Sequence, residues 1–308
     1  MGRASASATG SRIQRSQYVP SVDAGDVVED IMDGSYLPGA RGGSYFPDDG
    51  GVGFASTAKT NDILWRVGNQ SLNAYGYNGG YTNLNAFAPL FSDSRSVLFV
   101  NPRVNMTDYG QGGANLGVGY RFYEPSDDRV YGVSGWWDFD GGHRSNYQQW
   151  GMNFESIGRW MSLRGGFVIP TGKDQYTYSS TIGDAQFVGN NVVATQTNLF
   201  EKSYSNFNGE IATPLPGLAR YGFDVGLGMY ALQGNGVSNI IGTSLRTQAQ
   251  VTEDIWVNGT YTYDPQFKSQ FSLNVQLTMP KGPPAQWFRR NPVQNSLMDS
   301  VIRNYRVA

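Results

Sequence analysis

The sequence has no cysteine and a single histidine, His143, among its 308 residues. Without thiolates there is no zinc–thiolate centre, iron–sulfur cluster, disulfide framework or cysteine nucleophile. One imidazole excludes a multi-histidine metal site and makes any Ser-His-Asp triad depend on that residue. Charge is scarce as well. Charged residues are 16% of the chain, against about 25% in ordinary soluble domains. The 23 basic and 25 acidic side chains leave a net charge of −2. That balance argues against a phosphate-binding surface, so no nucleic-acid partner is expected. No run of 18 apolar residues occurs, which excludes a membrane-spanning helix. The stretch Met1 to Gly10 is small and polar, and no secretory signal is legible in it.

What is abundant points to another class. There are 40 Gly, 19 Tyr, 16 Phe and 7 Trp, and aromatics reach 14%. The mean hydropathy of −0.41 looks soluble. A β-barrel that crosses a membrane, however, exposes apolar side chains only at alternate positions, so its average hydropathy is ordinary.

Along the chain, residues 1–65 read as an irregular leader, with a luminal plug as the alternative, because Ser, Gly, Asp and Pro clusters dominate them. From 66 to 280 the pattern is one of segments of about ten residues that alternate apolar and polar. The last segment is the clearest. Phe267, Ser269, Phe271, Leu273, Val275, Leu277 and Met279 share one face, and Lys268, Gln270, Ser272, Asn274, Gln276 and Thr278 share the other. A period of two over that length is a strand, not a helix. Twelve strands are predicted: 66–77, 82–91, 97–107, 114–123, 130–140, 147–156, 160–169, 200–213, 221–232, 239–250, 254–264 and 267–279. No helical period interrupts them. The expected fold is all-β, an antiparallel transmembrane barrel of about 12 strands. The polar stretch 170–199 is the longest connection and reads as a loop, which on the usual rule for such barrels faces the cell exterior. Both termini then face the periplasm.

The two faces differ in charge. One carries Arg103, Arg121, Asp138, Asp140, Glu155, Arg164, Glu210, Asp224, Arg246 and Lys268. A Lys or Arg facing lipid at mid-membrane costs about 2–4 kcal/mol, so these ten are expected to line a lumen, five acidic and five basic. The other face holds Tyr120, Phe122, Trp137, Phe139, Trp150, Tyr261 and Tyr263 near strand ends, as interfacial girdles require. A soluble β-sandwich, a binding module with apolar faces inside, is the competing reading of the same alternation.

Several motifs also resemble a known family. Leu116-Gly117-Val118-Gly119-Tyr120-Arg121-Phe122 resembles the "LGxGxR" strand of the inverse autotransporter β-domain, the anchor of intimins and invasins. Tyr131 to Asp140 is similar to its strand ending in an aromatic–Asp pair. Gly151 to Glu155 looks like its "GxxxE" strand, Arg164 to Pro170 like its "NxYxP" strand, and Pro214-Leu215-Pro216-Gly217-Leu218 like its "PLPG" turn. The order is the family's, and the variant is closest to planctomycete-like ones. The resemblance implies a twelve-stranded barrel in the outer membrane of a Gram-negative type cell, engaged with membrane lipid and with the barrel-insertion machinery. It also implies type V secretion: a C-terminal segment threads the pore and presents an adhesin-like passenger to a receptor. Neither passenger nor receptor lies within these 308 residues.

Residues 281–308 read as a linker, one alternative being passage through the lumen. Lys281-Gly282-Pro283-Pro284 breaks the last strand. Twenty-eight extended residues reach about 90 Å at about 3.3 Å each, several times the hydrocarbon thickness of about 30 Å. Trp287, Phe288, Arg289, Arg290 and Arg303 would meet the pore, and Gln294 to Ile302 has the makings of a short helix. No catalytic constellation is evident. His143, between two glycines and Arg144, reads as a solvated loop residue. Asp138-Phe139-Asp140-Gly141 lacks the further acids of a calcium loop, and Asp138, Glu155 and Glu210 read as neutralised by interleaved arginines rather than as glycosidase carboxylates. No metal, cofactor or enzymatic activity is expected. The functional readings are an export anchor, a passive pore or structural barrel, and, third, the soluble binding module.

Overall fold

The computed structural model describes residues 62–73, 79–188, 190–218, 222–234, 236, 238–252, 254–280, 293–304 and 306. The leader up to residue 61, and Trp287, Phe288, Arg289 and Arg290, lie outside the described residues.

The strands are β1 (Leu64–Leu72), β2 (Tyr81–Ser92), β3 (Ser96–Thr107), β4 (Gly112–Glu124), β5 (Arg129–Asp140), β6 (Tyr147–Gly158), β7 (Ser162–Thr171), β8 (Gln175–Val188), β9 (Asn191–Lys202), β10 (Ser205–Pro214), β11 (Asp224–Gln233), β12 (Ile240–Gln250), β13 (Ile255–Asp264) and β14 (Lys268–Met279). A 3₁₀ turn spans Gln294–Met298. Twelve of the strands close a single antiparallel barrel, with β1 paired to both β2 and β14. Closure removes the open edges that a sheet otherwise exposes.

Two strand assignments from sequence need correction. The stretch 170–199 is not a loop: β8 and β9 pair only with each other, as a hairpin, while β7 pairs directly with β10. The predicted strand 200–213 is therefore split, its first residues completing β9 and the barrel strand beginning at Ser205. The first strand also begins and ends earlier than 66–77, at Leu64 and Leu72. The barrel has two unlike ends. One carries the β8–β9 hairpin. The other carries short turns such as 93–95, where the Asp93 carboxylate accepts the backbone N–H groups of Arg95 at 2.7 Å and Ser96 at 2.6 Å. Those two bonds to the charged form, Arg95's first, hold the Asp93 pKa below the usual carboxylate range.

The alternation sorts residues as a half-buried strand must. On β4, Asn115, Gly117, Gly119 and Arg121 turn inward, and Leu116, Val118, Tyr120 and Phe122 turn out. Leu227, Met229 and Ile241 on β11 and β12 are each more than 60% exposed. An apolar band of this kind around a whole barrel far exceeds the patches a soluble monomer leaves open, which excludes the sandwich reading. The larger apolar cluster of the interior lies toward the short-turn end, and a smaller one of Tyr230, Leu232 and Ile240 lies toward the other. In the larger, Leu64, Phe87, Val97, Phe99, Val130, Trp136 and Ile157 from the wall surround Val293, Leu297, Met298 and Val301 from the C-terminal stretch. Fully burying one such side chain contributes about 1.5–3 kcal/mol.

Two glycines make that packing possible. Gly117 and Gly119 stand opposite Trp136 and Phe99 in the ladders. A Cβ on Gly117 would come within 2.6 Å of the Trp136 ring, and one on Gly119 would overlap Phe99. Here glycine gives up side-chain packing so that two large rings can lie flat against the wall.

Candidate functional site: the lumen

An eight-stranded barrel is filled by its own side chains, and one of 16–18 strands leaves an aqueous channel. Twelve strands fall between, and this lumen holds a length of chain and a cavity beside it. The described residues of the C-terminal stretch follow the inner wall from the short-turn end toward the hairpin end, and polar groups meet them at each level.

At the lowest level Gln294 Nε2 donates to the carbonyl of Ser94 in the 93–95 turn. The 3₁₀ turn ends next, and its last carbonyls point at the wall. Wall arginines supply donors. Arg121 Nη1 donates to Leu297 O at 3.0 Å and Asp299 O at 2.6 Å, and Arg66 Nη2 to Met298 O at 3.0 Å. Arg121 is fully buried and is also ion-paired with Glu155 on β6. One level higher Arg303 forms a two-pronged pair with Asp138, at 2.5 and 3.1 Å, and lies 4.7 Å over the Trp136 ring. Asp138 is wholly buried and also accepts from Asn115 Nδ2 at 2.8 Å and Gln149 Nε2 at 2.9 Å. Highest described is Arg306, 2.8 Å from Asp140 and bonded at 2.6 Å to Asn105 Oδ1.

A second cluster lies on the far wall. Arg246 pairs with Glu210 at 2.8 Å and Asp224 at 2.9 Å, and Arg164 reaches Glu210 at 3.1 Å. Arg103 is buried on the inner face of β3. Lys268 is the exception among the ten charges named from sequence. It is the first residue of β14, exposed, with φ 61° after the 265–267 turn. Its pairing with Asp264 keeps it on the inner parity, but it stands at the rim, open to solvent.

The aromatic residues lie on the outer face at two heights. Tyr120, Phe122 and Tyr131 cluster near the short-turn end, the last two with ring centroids 5.5 Å apart. Trp137 stands opposite Trp150 near the hairpin end, where Phe139, Tyr261 and Tyr263 also lie. His143 is not solvated. Its Nδ1 is 2.9 Å from Glu201 on β9, its Nε2 is 3.7 Å from Asp140, and its ring meets Tyr147 edge-on. Asp138 and Asp140, the faint calcium motif, hold arginines instead, and among the described residues no group of three or more His, Asp or Glu is placed to bind a metal ion. Sequence reasoning missed Arg66, Trp136 and Arg306. The inward parity of Arg66 and Trp136 was legible, but nothing local marks a side chain as the partner of a residue over 150 positions away.

No protein-family model matches the chain, and no curated protein matches it. Membership of the inverse autotransporter family is therefore a proposal, taken up below. Solved structures do match. A membrane protein from a study of in-meso crystallization is 12% identical, with a TM-score of 0.59 over 79% of this chain and 98% of its own. The KdgM porin is 10% identical, with a TM-score of 0.42 over 70% of this chain and 97% of its own. The COG4313 outer membrane channel from Pseudomonas putida F1 is 10% identical, with a TM-score of 0.42 over 71% and 94%. Likeness of this order shows the fold alone. Together with the apolar exterior, the aromatic bands and the charged interior, that fold defines the chain as a transmembrane β-barrel of the outer membrane, in contact with its lipid.

Proposed function

We propose that this barrel is an outer-membrane anchor of inverse-autotransporter type, whose C-terminal segment passes through the lumen toward the cell surface. One observation carries the reading. Residues 294, 297–299, 303 and 306 meet successive levels of the inner wall, from the 93–95 turn to the rim beside the 141–146 loop. The hairpin end then faces outward, and a passenger beyond residue 308 would emerge there. Barrel-insertion machinery is the partner this reading requires, and no chemical step is assigned to any residue. The motif order from Leu116 to Leu218 supports the same reading.

A tag fused after Ala308 tests it. In intact cells the tag should be reachable by antibody or protease without permeabilising the outer membrane. Detection only after permeabilisation would leave the barrel standing and remove the export role.

A second reading, a passive pore, is favoured by a cavity of about 330 Å³ that remains beside the segment. The two are compatible in one molecule, because the described residues of the segment leave this cavity beside them. Swelling of liposomes that carry the full chain, in isotonic small solutes, tests this reading. A folded barrel that admits none of them would refute it.

A further inference from the structure

The described residues of the luminal segment meet β1, β2, the 93–95 turn and β3 to β5, and a cavity lies beside them. On the other side of the cavity stand the inner faces of β12 to β14. That wall carries hydroxyls and amides: Ser244, Asn258, Thr260, Ser272, Asn274 and Gln276. The register sets Asn258 opposite Asn274 and Thr260 opposite Ser272. Neutral donors and acceptors thus recur every second residue, roughly 7 Å apart along each strand. The lining runs from Pro214 and Phe223 at the short-turn end to Asn73 and Tyr81 near the other.

The charges that border this space are Arg66, Arg103, Arg164, Arg246 and Arg303 with Glu210, Asp224 and Asp299, and most are held by partners. Arg246 is held between Glu210 and Asp224, Arg164 lies on Glu210, Arg303 is on Asp138, and Arg66 donates to a carbonyl of the segment. Arg103 is 8% exposed. Two arginines against one Glu and one Asp make the far-wall cluster neutral. An ion entering here would shed water and meet charges already committed to one another, which is costly. A neutral hydroxylated solute instead exchanges its hydrogen bonds to water for bonds to amides and hydroxyls at little net cost. The volume of about 330 Å³ is at the low end for small-molecule sites, roughly 300–1,000 Å³, so one small molecule fits at a time.

We propose that the cavity is a passage for small neutral polyhydroxylated solutes of monosaccharide size, running beside the C-terminal segment. The proposal rests on the pore reading above and adds its solute class. Full-length protein in liposomes should give swelling in isotonic arabinose and glucose several-fold faster than in sodium gluconate or lysine hydrochloride. Asn258→Trp and Asn274→Trp fill the wall without changing charge, and should slow glucose entry several-fold in barrels that still run as the folded, heat-modifiable band. Where a bulky variant folds poorly, the nearly isosteric Asn274→Asp serves: it should raise lysine entry relative to gluconate. Entry of gluconate or lysine as fast as glucose overturns the solute class and leaves the pore standing. A lysine-to-gluconate ratio unchanged by Asn274→Asp overturns the assignment of the path to this wall. No swelling in any solute by the folded barrel overturns the pore reading, and this proposal with it.

Discussion

Arg303→Met tests the lumen where it is most tightly built. Methionine keeps the length and apolar stem of the side chain and removes the guanidinium. Asp138, 0% exposed, then loses its charged partner and keeps the Asn115 and Gln149 donors at 2.8 and 2.9 Å. Removing one member of a buried ion pair costs about 3–5 kcal/mol. The two remaining hydrogen bonds to the charged carboxylate move the expectation to the lower end, while the lost contact with the Trp136 ring, about 0.5–2 kcal/mol, moves it back. We take about 3 kcal/mol. That cost falls on the weakest cooperative unit. The barrel is a closed hydrogen-bonded ladder, whereas the segment is held by side-chain contacts, so the segment should leave the wall before the barrel opens.

The chain has no cysteine, so Val301→Cys introduces a unique thiol at a position only 4% exposed. Its labelling by a maleimide in the folded barrel reads how often the segment leaves its seat. At about 1.4 kcal/mol per tenfold, Arg303→Met should speed labelling by about two orders of magnitude. Asp138→Asn should do the same to a lesser degree, because the amide still accepts a hydrogen bond. The double variant should recover part of the loss, with a coupling above about 0.5 kcal/mol. Labelling within twofold of the parent for Arg303→Met, or strictly additive effects, would refute the claim that this pair seats the segment.

The outer and inner faces of β14 can be compared directly. Leu273→Arg, pointing outward, should lower folded yield in liposomes by an amount equivalent to about 2–4 kcal/mol, and Gln276→Arg, lining the cavity, should be much milder; equal yields would refute the face assignment. Gly117→Ala, whose Cβ lands on Trp136, should lower stability to urea by about 1–3 kcal/mol, whereas Gly135→Ala, with nothing within 4 Å of its Cβ, should change it little. Matching unfolding midpoints for these two variants would show that the close approach of Trp136 to β4 does not constrain the wall.

The barrel was legible because its evidence is local. A strand turns successive side chains to opposite faces, so the alternation of Phe271, Leu273, Val275 and Leu277 with Ser272, Asn274 and Gln276 declares itself without any knowledge of neighbours. The cost of a charge in lipid then decides which face is outside. The same locality explains the errors. The β8–β9 hairpin lies off the barrel with side chains such as Ile182 and Phe187 exposed, so neither strand needs a consistently apolar face and no period appears. Lys268 keeps the inner parity opposite Asp264 but begins its strand at the rim, and alternation gives a face, not a height. Partners were beyond the sequence altogether. The sequence reads Asp138 and Glu155 only as neutralised by interleaved arginines; the pairing of Glu155 with Arg121 follows from the register of β4, β5 and β6, while Asp138 belongs to Arg303, 165 positions away. Trp136 and Trp137 are chain neighbours with opposite fates, and the inward one has room only because Gly117 faces it across the ladder. Backbone geometry sets the period within each strand. Only the closing of β1 onto β14 encloses a lumen, and only enclosure brings residues from distant parts of the chain within reach of one another.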